Sequence, residues 1–578
     1  VAASKRLDRC KAEERTVTVL GISCYYHDAA AAVVDRDEIR FAIQEERLSR
    51  VKQDDRFPTL AIARALEAVG MRVNDLDRIV FYEDPEKKLR RLWDQILDGW
   101  PRSQRLFAED VPRFIQHKLP IGEQIRRHLG FKGTIDFSDH HRSHAASAFF
   151  TSPFERAVVL TIDGVGEYDT AAVHLGEGNT LTKVRSIHFP DSLGLLYSVF
   201  TDYLGFEVNE GEYKVMGLAP FGTPRYREKI LGPIVKLFDD GSFKLNRTFF
   251  EFDGTERHYA PSLVEHMGIP PRQRDEPILQ EHMDLAASIQ DVLEVAVCGL
   301  VRVLMNEFKT KDFCFAGGVA LNCTANAKLI REFGIRSHIH PAAGDAGGAL
   351  GAALQAVMQT RTEPPTKRFS FSPYLGMAYS EDVTLSTLSI NKIPYVKKEH
   401  IAAELAARLA EGKVIGIVHG RDEWGPRALG GRSILADPRA PGMRDHVNAK
   451  IKFREEFRPF APVVKVERYG EYFETLGMSE SPHMLYTHKA LKPGETAAVV
   501  HVDGTSRVQT VSAHQNPYLY AVIDEFEKLT GVPVLMNTSF NLRGEPIVSS
   551  PSDALQTFYS SGIDCLAIED VLVEKPVT

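Results

Sequence analysis

The feature that most constrains the fold is an internal repeat. Residues 16–46 read as a strand over 17–22, a polar turn ending at His27-Asp28, a strand over 29–34 and a further strand over 39–44. Residues 156–187 read the same way: a strand over 158–162, a turn holding Asp163-Gly164 and Tyr168-Asp169, a strand over 170–174 and another near 181–187. Val19-Leu20-Gly21-Ile22 and Val159-Leu160-Thr161-Ile162 occupy the same place in the two units, and helical sequence follows each. A hairpin-plus-strand unit met twice predicts two related lobes.

Such a duplication fits an actin/hexokinase-like α/β fold, in which two lobes enclose a nucleotide or phosphate. The rest of the first half agrees. Residues 283–308 have helical apolar spacing, and a strand over 313–316 enters Gly317-Gly318-Val319-Ala320-Leu321-Asn322. A strand over 335–340 enters a glycine loop at 344–348 and a helix over 349–358. Glycine loops between a strand and a helix N-terminus offer backbone N–H groups to phosphate, which makes Gly317, Gly318, Asn322 and Gly344 candidate cofactor contacts. Residues 360–373 are rich in Pro, Thr and Lys and read as a junction, after which helices and strands alternate. With 578 residues the chain exceeds one core. The expected division is a disordered extension over 1–16, a first domain over 17–365 and an α/β domain over 366–578.

Composition narrows the class. Hydrophobic residues at 43% and charged residues at 26% are ordinary for a soluble enzyme, and a net charge of −8 argues against nucleic-acid or membrane partners. No apolar run reaches membrane-spanning length. The six cysteines form no CxxC pair, so reduced thiols in a cytoplasmic protein are expected.

Two sets of residues carry chemistry. His140 and His144 lie four apart and share a helix face, where they can chelate a metal. Asp163 ends a strand and Asp345 sits in a glycine loop, so both can point into a cleft. Imidazole with carboxylate suits Fe2+, Mn2+ or Zn2+. The competing reading is a capped helix with ordinary turn aspartates. His141, rotated roughly 100° from His140, faces away. His27, after the first turn, could be a general base on an alcohol or a plain turn histidine.

The second set lies in the second half. The string 422–432 fixes a turn at Gly425-Pro426 and offers Arg427 to a ligand. Lys452, Arg458 and Arg507 add the charge a phosphate-rich site needs, and Asn537 and Ser539 follow an apolar strand. The competing reading pairs arginines with Glu455, Glu456 and other surface acids, most readily at Arg432 and Arg454. In 209–214, Lys214 could meet phosphate and Glu210 substrate, or the segment is a solvated loop.

The ordered motifs HDAAAAVV, EERLSR, DHHRSHAASAFF, DGVGEY, GEYKVMGLAPFG, GGVALN, PAAGDAGGALGAAL, GPRALGGRSILADPR, KFREEFRPFAP and VLMNTSFNLRGEPIV cover nearly the whole chain. Together they resemble the O-carbamoyltransferases of natural-product biosynthesis. The resemblance implies an N-terminal domain similar to the tRNA threonylcarbamoyl-transfer domain of the actin-like superfamily and a YrdC-like C-terminal domain. It implies that carbamoyl phosphate and ATP react in the C-terminal domain to give carbamoyl-adenylate and pyrophosphate, and that a hydroxyl of a small secondary metabolite then attacks the carbamoyl carbon in the N-terminal domain. By motif position His140, His144, Asp163 and Asp345 would hold Fe2+, with Mg2+ accompanying the nucleotide, and His27 would assist the acceptor hydroxyl. Arg427, Lys452, Arg458, Arg507, Asn537 and Ser539 would bind carbamoyl phosphate and ATP, with Lys452 and Arg507 acting in catalysis. Residues 81–123 are where an acceptor-binding insertion would lie, and a homodimer stays open. The alternatives are carbamoyl transfer to a protein thiol or a tRNA adduct, against which the lack of CxxC pairs and the acidic balance argue, and a non-catalytic nucleotide-binding scaffold.

Overall fold

A computed structural model describes residues 17–35, 38–252, 257–361, 369 and 371–575. The expected N-terminal extension and much of the 360–373 junction lie outside these residues. Among the described residues, β1 (Val19–Ser23), β2 (Ala30–Val34), β3 (Ile39–Gln44), β4 (Arg78–Phe81) and β5 (Thr134–Phe137) form one sheet in the order β3-β2-β1-β4-β5. β1–β2 and β2–β3 pair antiparallel, whereas β1–β4 and β4–β5 pair parallel. The helix α1 (His140–Phe149) leads into a second sheet. Its strands are β6 (Arg156–Ile162), β7 (Asp169–Glu177), β8 (Thr180–His188), β9 (Asp312–Ala316) and β10 (Arg336–Ile339), in the order β8-β7-β6-β9-β10. The pairing senses repeat those of the first sheet strand for strand. The first half is therefore the duplicated actin/hexokinase-like α/β architecture that the sequence repeat implied.

Helices α2 (Glu212–Leu218) and α3 (Asp345–Gln359) complete the frame of the site. α3 is buried almost end to end. A Cβ built on Gly21 of β1 would stand 1.9 Å from the Ala349 carbonyl oxygen, and one on Gly351 would stand 1.8 Å from that of Ser143. α3 thus lies in backbone contact with β1 on one side and α1 on the other, a distance only glycine permits. The sequence places a loop at 344–348 and starts the helix at 349, but the helix begins at Asp345. Gly347 and Gly348 are helical because their lack of a side chain serves packing: a Cβ on Gly347 would meet the Ala342 carbonyl and one on Gly348 the Tyr82 ring.

The second half is built on β11 (Val396–Lys397), β12 (Ile415–Val418), β13 (Arg432–Ala436), β14 (Ala461–Lys465), β15 (Gln509–Val511), β16 (Val534–Ser539), β17 (Cys565–Ile568) and β18 (Val571–Glu574). They form a mixed sheet in the order β11-β18-β17-β12-β13-β16-β14-β15. β13, the β17–β18 hairpin and a helix at Glu381–Ile390 were not expected from the sequence. The two halves interlock. Trp424, 1% exposed, packs into the core cluster of the first sheet, and the Arg47 guanidinium donates to the Gly425 carbonyl at 2.9 Å. No described helix is long and apolar enough to cross a membrane.

Gly351→Ala is expected to push α3 off α1 and to lower stability by about 1–3 kcal/mol, the usual range for overpacking. Gly299→Ala, on a helix with nothing within 4 Å of the added Cβ, serves as the control and should be neutral or slightly stabilising. Thermal denaturation of the pair checks this, with a lower Tm for the first alone.

Candidate active site

The first cluster assembles at the carboxyl ends of the central strands, where an open α/β sheet leaves a crevice. His27 follows β1, Glu83 follows β4, Asp163 follows β6, and Gly317 and Gly318 follow β9. α1 delivers the histidine pair. Asp139 caps it by accepting from the Arg142 backbone N–H at 3.1 Å, and Glu167 accepts from the His140 backbone N–H at 3.1 Å. These two carboxylates take up orphan donors of the first turn.

The four expected ligands come together. His140 Nε2 and His144 Nε2 lie 3.2 and 2.9 Å from Asp163 Oδ2, and 3.7 and 3.3 Å from Asp345 Oδ1. The two Nε2 atoms are 3.1 Å apart. One potential ligand atom from each residue fits within a 4.8 Å span. At metal–ligand distances of about 2.0–2.2 Å, neighbouring ligands of a tetrahedral or octahedral ion stand roughly 3.0–3.5 Å apart, so the set fits a divalent ion. An Asp345 Oδ2 that is buried with no hydrogen-bond partner supports the same fit. His141 takes no part: its ring nitrogens pair with Thr161 Oγ1 at 2.7 Å and the Asp169 carbonyl at 2.8 Å, tying α1 to the second sheet.

Electrostatics tie the cluster together. Burial opposes charge on His140, but Asp345, Asp163 and Glu83 outweigh it and raise the imidazole well above its ordinary value. Burial likewise opposes ionisation of Asp163, yet His140 and His144 hold it well below the usual carboxylate range. His27 is one-fifth exposed, with Nδ1 3.0 Å from Asp28 Oδ2 and Nε2 3.9 Å from Asp345 Oδ2. Against burial, Asp345 and Asp28 raise it to about 9. Glu83 went unnoticed in the sequence. It is fully buried, bonded by Lys88 at 2.7 Å and by Lys118, and stands 3.7 Å from His140 Nδ1. Its only sequence signal is its place at the end of a buried strand.

The glycine-loop candidates divide. Gly317 has φ +87° and approaches the Ile162 carbonyl so closely that a Cβ would lie 2.3 Å away, and a Cβ on Gly318 would lie 3.2 Å from Asp163 Oδ1. Gly344 is the N-cap of α3. Asn322 sits apart from them, with its amide shared between Gln290, at 2.9 and 3.0 Å, and the Ala325 backbone N–H at 3.0 Å.

The second cluster is basic. Arg427 and Arg507 each bury an Nε with no hydrogen-bond partner. Burial and then Arg507 push Arg427 down to about 9, and burial with Arg454 and Arg458 pushes Lys452 well down. Crowded, desolvated cations of this kind are what an anionic ligand would relieve. Lys452 Nζ donates to the Ser539 carbonyl at 2.8 Å, the Ser539 hydroxyl at 3.3 Å and Asn541 Oδ1 at 2.7 Å. Asn537 is buried and donates to Gln509 Oε1 at 2.7 Å and the Ala428 carbonyl at 3.2 Å, so it fixes the backbone beside Arg427. Two arginines differ from their expected surface pairing. Arg432 is fully buried, 2.7 Å from Asp422, with its remaining donors on backbone carbonyls. Arg454 lies 4.3 Å over the Phe460 ring and donates to Asn448 Oδ1 at 3.0 Å.

Fold and clusters together define a two-lobed α/β protein with an imidazole–carboxylate cleft and a basic side-chain cluster in its second half. Residues 18–354 match the family described as carbamoyltransferase N-terminus, and residues 406–575 match carbamoyltransferase C-terminus. The chain belongs to the carbamoyltransferase family and is a transferase of carbamoyl groups. It is similar to uncharacterized protein sll1178 of Synechocystis sp., at 42% identity over 96% of each chain. It is also similar to nodulation protein NolNO of Sinorhizobium fredii, at 37% identity over 95% of this chain and 79% of that one. The 3'-hydroxymethylcephem-O-carbamoyltransferase of Streptomyces clavuligerus is 27% identical over 92% of this chain and 94% of that one.

His144→Ala is expected to abolish Zn2+ or Fe2+ binding in calorimetric titration, because it removes the imidazole nearest both carboxylates. His141→Ala should keep metal binding while losing stability, since only hydrogen bonds between α1 and the second sheet are lost.

Proposed function

We propose that the protein is an ATP-dependent O-carbamoyltransferase with two reaction sites. The observation that carries this reading is the backbone contact that joins the segments bearing the two unlike clusters. Gly425, two residues before Arg427, lies against Pro341, four residues before Asp345, and a Cβ on it would stand 2.7 Å from the Pro341 carbonyl oxygen. An intermediate made at one cluster has a short path to the other, which limits hydrolysis of a reactive anhydride.

At the basic site carbamoyl phosphate gives up its phosphate to water, and the resulting carbamate oxygen bonds to the α-phosphorus of ATP. Pyrophosphate leaves. Arg427, Arg458 and Arg507 would bind the phosphates, and Lys452, held by Ser539 and Asn541, would neutralise charge developing on them. In the first-half cleft the acceptor hydroxyl oxygen bonds to the carbamoyl carbon and AMP leaves, so the overall products are the carbamate ester, AMP, pyrophosphate and phosphate. His27 Nε2 would take the hydroxyl proton, with Asp28 orienting the ring through Nδ1. A divalent ion held by His140, His144, Asp163 and Asp345 would supply Lewis acidity at the adenylate phosphate. Its charge would also offset the carboxylates that raise His27, leaving that imidazole free to accept a proton. Fe2+, Mn2+ and Zn2+ all suit the two-nitrogen, two-oxygen donor set. The named O-carbamoyltransferase relative supports a hydroxyl acceptor on a small molecule.

With ATP, carbamoyl phosphate and no acceptor, the protein should release pyrophosphate and form carbamoyl-adenylate, read by mass spectrometry. Arg507→Ala should cut this step at least tenfold, from the roughly 1.5–3 kcal/mol of a charge-assisted hydrogen bond. His144→Ala should leave it intact while blocking transfer, and His27→Ala should slow only the acceptor step. A wild-type protein that binds ATP but releases no pyrophosphate would support the scaffold reading instead.

A further inference from the structure

A segment that adds two arginines to the basic cluster of the second half is anchored by the first half. Residues 453–459 follow Lys452 through Phe453, which has φ +47°, and carry Arg454 and Arg458. Among the described residues, no strand of the eight-stranded sheet includes this segment. Its partners lie on and near α2. The Arg458 guanidinium sits 4.7 Å over the Tyr213 ring, and Lys214 Nζ lies 3.1 Å from Glu455 Oε1. Glu455 also stands 3.5 Å from Arg458, so one carboxylate holds a cation from each half. The Phe457 ring lies 6.3 Å from that of Phe206, and Gly217 leaves space for Pro459, whose Cδ would be 3.7 Å from a Cβ there.

Arg458 and Arg507 act as like charges on both Arg427 and Arg454. Like charges around the loop repel, and contacts from outside the loop help to fix where its two arginines sit. A cation over an aromatic face and a shared carboxylate orient the guanidinium while leaving N–H donors free for a phosphate. Tyr213 and Lys214 supply both.

We propose that Tyr213 and Lys214 are positioning residues for the second-half reaction, holding Arg458 and its loop over the phosphate-bearing substrate. The basic site is then complete only when the first half is docked against it. This rests on the reading that carbamoyl phosphate and ATP react there, and it ties adenylate formation to the presence of the cleft that consumes the adenylate.

The test is carbamoyl phosphate-dependent pyrophosphate release by the full chain, without acceptor. Tyr213→Ala and Lys214→Ala should each raise KM for carbamoyl phosphate about tenfold, the scale of one desolvated cation–π contact or charge-assisted bond. The Tm should stay near that of the wild type, and Tyr213→Phe should restore the KM because it keeps the ring under Arg458. Tyr213→Ala combined with Arg458→Ala should be no worse than Arg458→Ala alone, since Tyr213 acts through that guanidinium. Unchanged KM in both alanine variants, or multiplicative losses in the double variant, would overturn the proposal. Should Tyr213→Ala fail to fold, Glu455→Gln decides: a raised KM supports the anchoring and an unchanged one refutes it. No pyrophosphate from the wild type would sink the underlying reading itself.

Discussion

The backbone contact of α3 with β1 and α1 is the constraint on which the first half depends. Two glycines, Gly21 and Gly351, let a helix approach a strand and a second helix at distances that any Cβ would block. That approach brings Asp345, the first residue of α3, to the imidazoles at the start of α1. It also joins the two repeats, because α1 leaves the first sheet and enters the second. Close packing transmits displacement rather than absorbing it, so the geometry of the imidazole–carboxylate cluster is set by contacts along the whole of α3.

Charge then follows geometry. Two carboxylates and two imidazoles lie within a few ångströms, all buried but the part-exposed Asp163, and a third carboxylate, Glu83, stands 3.7 Å from His140 and is paired with Lys88 and Lys118. Burial penalises each charge, and mutual attraction offsets the penalty. The lysines keep Glu83 ionised well below its ordinary value against burial, and Glu83 in turn raises His140. A cation at the centre would substitute for the protons that the imidazoles otherwise hold, the ordinary linkage between metal binding and ligand pKa.

Much of this was legible in the sequence for physical reasons. The strand repeat shows because buried β-strands are short apolar runs between turn residues, and the His140–His144 spacing shows because helical geometry is local. What stayed hidden depends on distant chain. Glu83 looks like a turn residue until Lys118 comes to it. Arg432 looks like a surface cation until Asp422 and the Ser549 carbonyl enclose it. Gly347 and Gly348 read as loop because glycine is a poor helix former, and tertiary packing overrides that propensity. The β17–β18 hairpin lacked a turn signal because Glu569 takes the left-handed conformation, φ +53°, that Gly or Asn would have advertised.

The interlock between the halves fixes the two clusters relative to one another. The loop that presents Arg427 is fixed from two directions. Inside the second half, Glu423 Oε1 accepts from the backbone N–H groups of Leu429, Gly431 and Arg432 at 2.8, 2.7 and 3.0 Å. From the first half, the core around α3 takes in Trp424, and Arg47 holds the Gly425 carbonyl. Gly425 itself has φ +112° and lies against Pro341, four residues before Asp345. The turn that bears Arg427 of one cluster therefore rests on the segment that delivers Asp345 of the other. Neither can shift far without the other, and the arrangement is set by covalent continuity and core packing rather than by an encounter between separate proteins.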